Sequence, residues 1–195
     1  MANWEISFDE VNVADGPYQD VSCGQTVEFI VGFYASSLES TSKTEKSVIR
    51  LGNAEYIFES EISYVSKLKI HLYILDIGFK VSGGYRDLKD VSAGSYLIGQ
   101  AALFVDDENY WYDLDKDPNY PPMVYTWQIN RILLDTTPYI DSGNKIQKRD
   151  KLRQSFLELD KTDIWEDGKN YDQSFPQYIL HCSLLDIPPK FTLSS

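Results

Sequence analysis

The residues best equipped for chemistry in this 195-residue chain are crowded into Asp106 to Pro122, DDENYWYDLDKDPNYPP. Six carboxylates (Asp106, Asp107, Glu108, Asp113, Asp115 and Asp117) are interleaved with Tyr110, Trp111, Tyr112 and Tyr120. Carboxylates draw in cations from a distance, and flat rings supply contact area at small entropic cost. The segment is therefore expected to dock a basic protein through Asp106, Asp107, Glu108, Tyr110, Trp111, Tyr112 and Tyr120. The same side chains would also suit a carbohydrate platform, with rings against apolar sugar faces and carboxylates accepting from hydroxyls. The plainer alternative is a solvated acidic tip whose tyrosines fold back onto the core.

Asp113, Asp115 and Asp117 have the Asp-x-Asp-x-Asp spacing of calcium loops. Calcium takes about six to eight oxygens, which alternate aspartates on a curved loop can begin to supply. An EF-hand would need Gly and Glu where this chain has Pro118 and Val124, so that motif is absent. No cofactor is expected, and calcium is the one these residues would allow.

The remaining clusters are weaker. His181, Cys182, Cys23 and His71 offer nitrogen and sulfur ligands, but their spacing follows no zinc pattern. On a strand His181 and Cys182 point to opposite faces, so a core His and a small buried hydrophobe describe them better. Lys145, Lys148, Arg149, Lys151 and Arg153 place five of the 18 basic residues within nine positions. Internal pairing with the acidic segment from Glu158 to Asp172 is the simplest use for them. No nucleophile elbow, metalloprotease helix motif, phosphate-binding loop or dinucleotide fingerprint occurs. Paired carboxylates on a β-scaffold leave glycoside hydrolysis as a remaining enzymatic option. A structural role in a larger assembly is a further one, and the oligomeric state is open.

The elements that must position these residues read as strands. Trp4, Ile6 and Phe8 alternate with Glu5, Ser7 and Asp9, and Val27, Phe29, Val31 and Phe33 share a second face. The tract from residue 36 to 47, SSLESTSKTEKS, lacks a periodic apolar face and reads as a mobile loop. Apolar residues change phase between Ile74 and Leu75, as a β-bulge would produce. Tyr96 to Val105 and Val124 to Leu134 read as a long hairpin whose tip is the acidic segment. Leu152, Phe156 and Leu159 have helical spacing within residues 145–160, and Pro188-Pro189 opens a frayed tail through residue 195.

About eight or nine strands with one or two short helices predict a single domain, an antiparallel β-sandwich or barrel. The 30 acidic against 18 basic residues, net −12, argue against nucleic acid and anionic membrane as partners. The first residues form no basic-then-apolar leader, no apolar run reaches membrane length and no Asn-x-Ser/Thr sequon occurs, so a soluble cytoplasmic protein is expected. The expectation is an acidic, non-enzymatic interaction protein, of the inhibitor or immunity type. A calcium- or carbohydrate-binding module is the alternative.

Overall fold

A computed structural model describes residues 3–9, 20–66, 72–88, 91–106, 117, 119–141, 147–162 and 177–193. The strands are β1 (Asn3–Asp9), β2 (Thr26–Thr41), β3 (Ser47–Gly52), β4 (Glu55–Val65), β5 (Leu72–Asp76) and β6 (Lys80–Gly84). They continue as β7 (Tyr96–Asp106), β8 (Tyr125–Asp135), β9 (Tyr139–Asp141), β10 (Gln147–Arg149), β11 (Phe156–Leu159) and β12 (Gln177–Leu184). The chain is mainly β, as expected. Among the described residues there is no helix, and so none long and apolar enough to cross a membrane.

Ten strands form one sheet in the order β11-β8-β12-β1-β7-β2-β6-β5-β4-β3, and β9 with β10 makes a separate ribbon. The sheet is mixed rather than antiparallel: β1 meets β7 in parallel at Ser7 and Phe104, and β2 meets β6 in parallel at Gly32 and Ser82. Two further pairings, β8 with β2 and β7 with β4, cross the list.

The 16-residue β2 explains most of this arrangement. Its first residues pair with β8, from Thr26 opposite Gln128 to Phe29 opposite Tyr125. The remainder pairs with β7, from Ile30 opposite Asp106 to Thr41 opposite Tyr96. β7 and β8 are therefore not the two arms of a hairpin, contrary to the sequence reading. Only a two- to five-residue loop obliges neighbouring strands to pair, and the segment between these two is far longer. Each instead finds its partner on β2.

Three other expectations are overturned. Residues 36–41 of the supposed mobile loop are strand, because ladder hydrogen bonds come from the backbone and do not depend on polar side chains. Within that stretch only Leu38 is buried, which leaves too thin a signal for periodicity to register. The expected helix at residues 145–160 is replaced, where described, by β10, a turn and β11. Phe156 and Leu159 serve β11, which pairs with β8. The tail is tied down rather than frayed at Lys190, whose backbone exchanges two hydrogen bonds with Val124 and whose ammonium meets Glu28 at 2.5 Å.

The phase change at Ile74 and Leu75 falls where the β4–β5 register shifts, the extra residue being on β4: Ile62 faces Leu75 and Tyr64 faces Ile74. Leu72 to Leu75 are buried on both faces of β5, and the chain then turns through Gly78 (φ 113°) into β6. At the turn, Phe79 packs edge-on against Trp4 of β1 at 4.8 Å and against Trp127 of β8 at 5.0 Å. Trp127 in turn stacks on Phe29 of β2 at 5.3 Å and donates its indole N–H to the Phe29 carbonyl at 3.3 Å. One ring thus joins elements distant in sequence. Phe79→Ala is expected to cost about 3–5 kcal/mol, as large-to-small changes of buried aromatics do. A urea melt in which the variant matches the native chain would refute the joining role.

Close backbone approach is as important as ring packing. A Cβ at Gly99 would lie 2.2 Å from the Ser37 carbonyl oxygen, where β2 bulges, whereas one at Gly32 would meet the Phe104 ring at 2.5 Å. A carbonyl fixed in a ladder cannot swing aside as a ring can. Gly99→Ala should therefore destabilise by more than Gly32→Ala, by about 1–3 kcal/mol against native, in the same melt.

Candidate functional site

The structure separates the residues of the acidic segment. Asp107, Glu108, Tyr110, Trp111, Tyr112, Asp113 and Asp115 lie outside the described residues, as does His71. The three that are described face inward. Asp106, 2% exposed, ends β7 and accepts a hydrogen bond from the Ser82 hydroxyl at 3.0 Å. Asp117 is buried and accepts from the Tyr64 hydroxyl on one oxygen. Its other oxygen accepts from the Asn119 backbone at 3.0 Å and the Asn119 side chain at 3.2 Å. Tyr120 is buried edge-on to Tyr64 at 5.3 Å. These three were expected on an exposed projection. Their place in the interior follows from partners on β4 and β6 that composition alone does not reveal.

Cys23 is exposed, with its thiol 3.5 Å from the Leu159 carbonyl, and Cys182 is fully buried; both are free thiols. Three members of the basic cluster pair with acids of the described residues, while Lys145 and most of the segment from Glu158 to Asp172 lie outside them. Arg149 binds Asp135 at 3.0 Å and lies over the Tyr139 ring, Lys151 reaches Glu55 at 3.4 Å, and Arg153 meets Asp150 at 2.6 Å.

Two constellations were not found by reading the sequence. The first is the outward face of β2, β7, β4 and β3. Cross-strand rows run from Tyr34 through Ala102 to Glu55, and from Ser37 through Gln100 and Ile57 to Ile49. Tyr34 is 69% exposed and stacks on Phe104 at 4.2 Å, 12° from parallel. Phe104 itself lies over Gly32, where no side chain would fit beneath it. Ile49, Leu51 and Ile57 are exposed nearby on β3 and β4. Glu59 sits in the next row and is held by Lys43 at 2.6 Å, while the Gln100 amide donates to Glu55 at 3.1 Å. The signal was present in the sequence as apolar residues out of phase: Tyr34 after Val31 and Phe33, Ile57 between Tyr56 and Phe58, and Ile49 with Leu51 beside Val48.

The second is a charged row that crosses the sheet. Glu5 of β1 lies opposite His181 of β12, which lies opposite Arg131 of β8. Arg131 meets Glu158 of β11 at 2.6 Å, and at the other end Arg50 of β3 reaches Glu5 at 3.4 Å. Glu5 is buried and also accepts from the Ala54 backbone N–H at 3.3 Å. That contact braces the β3–β4 turn, where Asn53 and Ala54 both have positive φ, 54° and 61°. The Tyr56 hydroxyl accepts from the Glu5 amide at 2.6 Å and donates to the Glu5 carbonyl at 3.1 Å. Burial pushes that phenol up to about 12 and pushes the Cys182 thiol up as well, so both stay neutral.

His181 Nδ1 is 3.9 Å from Glu5, and its buried Nε2 has no partner among the described residues. Burial holds the imidazole below the usual histidine range; Arg131 and Arg50 act in the same direction, and Glu5 and Glu158 oppose them. The charged row links side chains of β3, β1, β12, β8 and β11. Among the described residues no group of three His, Cys, Asp or Glu converges to hold a metal.

A histidine depressed in the folded state binds fewer protons there than when unfolded. Its contribution to stability is present above the unfolded value, about 6.5, and is lost as pH falls through the lower folded value. Melting temperature should accordingly decline as the solution is acidified below that range, and His181→Gln should flatten the decline. An unaltered slope in the variant would assign the effect to other groups.

Comparison of the chain with protein-family models, with curated proteins and with solved structures finds no match in any of the three.

Proposed function

We propose that this chain is a non-enzymatic binding protein that docks a protein partner of net positive charge. The contact surface would be the outward face of β2, β7, β4 and β3, together with the acidic segment that follows β7. The observation that carries the reading is the grouping of Tyr34, Phe104, Ile57, Ile49 and Leu51 on that face. A lone exposed apolar residue needs no explanation, whereas several on one face rimmed by carboxylates mark a place of contact. Stacked rings at the centre are the side chains that anchor such contacts.

Charge selects the partner. A net charge of −12 repels nucleic acid and a second copy of the chain, and attracts a basic surface from a distance. Among the described residues the ion-pair partners of Glu55 and Glu59 are the exposed lysines Lys151 and Lys43, and such pairs are worth little. A partner's arginines can replace those lysines and gain a planar, two-pronged grip on each carboxylate.

The same reading takes the sheet as a closed, barrel-like scaffold. Pairings support it by returning on themselves: β8, β12, β1, β7 and β2 form one circuit, and β7, β2, β6, β5 and β4 a second. A closed scaffold presents its outer face without needing a ligand to order it. Two free thiols favour a reducing, cytoplasmic setting.

Affinity capture from the source cells tests the proposal, with the native chain and a Tyr34→Ala, Ile57→Lys variant immobilised side by side. The native chain should retain a basic protein at low salt and release it as ionic strength rises. The variant should bind it roughly tenfold less, the scale of one anchor residue. Equal retention by the two, or a bound partner that is acidic, would remove the proposal.

A further inference from the structure

The row Arg50, Glu5, His181, Arg131 and Glu158 is balanced only while His181 is neutral, with two cations against two carboxylates. The two arginines are held unequally. Arg131 contacts Glu158 through Nε at 2.8 Å and Nη2 at 2.6 Å, whereas Arg50 reaches Glu5 Oε1 at 3.4 Å from a half-exposed side chain. Glu5 Oε1 is also the oxygen that lies 3.9 Å from His181 Nδ1. One oxygen thus faces two nitrogens. Only Arg50 carries a charge at neutral pH.

We infer that His181 is an acid-operated latch on the edge strand β3. Protonated, its Nδ1–H takes Glu5 Oε1, and Arg50, the more weakly held cation, goes to solvent. Every group facing the imidazole fits this order of events. Arg131 on β8 stays with Glu158 of β11, Tyr56 on β4 and neighbouring Cys182 are neutral, and Glu5 on β1 is the one carboxylate shared between claimants. Among the described residues β3 pairs with β4 alone, so the Arg50 contact is a brace that its sheet neighbours there do not duplicate. The other end of the strand has a separate tie, from Lys46 to Asp76 at 2.7 Å, and the depressed carboxyl of Asp76 stays charged through the same pH range. Release should therefore be local, at Ile49 to Gly52.

The latch needs no partner, so its test is independent of the docking proposal. Amide hydrogen exchange of the isolated chain is followed in steps from about pH 7.5 down to about pH 4.5, well below the ordinary histidine range because burial lowers the folded-state value, after correction for intrinsic chemistry. In the native chain Ile49 to Gly52 should exchange roughly two- to five-fold faster at the lowest pH, the scale of one part-exposed ion pair, while Ser47 and Val48 change little. His181→Gln should keep the strand slow at every pH. Arg50→Gln, at an exposed side chain where folding is tolerant of change, should make it fast throughout. Native exchange that ignores pH, or a pH response that survives in either variant, overturns the inference.

Discussion

Backbone hydrogen bonding along β2 is the constraint on which the rest of the molecule depends. A single 16-residue strand serves β8 with its first residues, β7 with the remainder, and touches β6 at Gly32. Every buried amide and carbonyl must find a partner, and a strand this long can satisfy three neighbours at once. The buried aromatic rings follow the same arrangement. Phe29 lies where β2 meets β8, so Trp127 stacks there, and Phe79 closes the gap between Trp127 and Trp4. Ladder and rings specify the same neighbours, which is the agreement between levels that makes one fold preferable to its competitors.

Charge is organised in two different ways on this sheet. Within the row from Arg50 to Glu158, ionic groups are close, partly buried and tied to backbone, so each depends on the state of the next. On the outward face, Glu55 and Glu59 meet lysines that stand largely in solvent. Interactions of the first kind brace strands, and those of the second kind are cheap to exchange. Tyr34 and Phe104 sit among the exchangeable ones, on the same face as Ile57 and Ile49. That contrast is the physical basis for assigning contact to the outward face and conformational response to the row.

Much of the fold was legible in the chain. The alternation of Trp4, Ile6 and Phe8 put β1 in place, and the run from Val27 to Phe33 located the buried part of β2. Legibility failed where pairing rather than burial makes a strand. Ser36 to Thr41 carry one buried side chain and are strand because β7 lies beside them. It failed again at Leu152, Phe156 and Leu159, whose spacing suits a helix, while Leu152 stands exposed in a turn and Phe156 and Leu159 pair with β8. The candidate site was less legible than the fold. Asp106, Asp117 and Tyr120 belong to an acidic, aromatic stretch, yet hydrogen bonds and ring packing from distant strands hold them inside.

The sequence by itself determined that this chain is mainly β, strongly acidic and rich in rings, because alternation, composition and charge are local properties. It also contained the clue to the outward face, in apolar residues that break the alternation at Tyr34, Ile49 and Ile57. Only the tertiary structure decided that β7 and β8 are joined through β2 rather than to each other. The same holds for the convergence of Arg50, Glu5, His181 and Arg131 from four strands into one row. The physical reason is that β-pairing is a contact between segments remote in sequence. Its register is set by which backbones and side chains satisfy each other in space, and no window along the chain holds both partners.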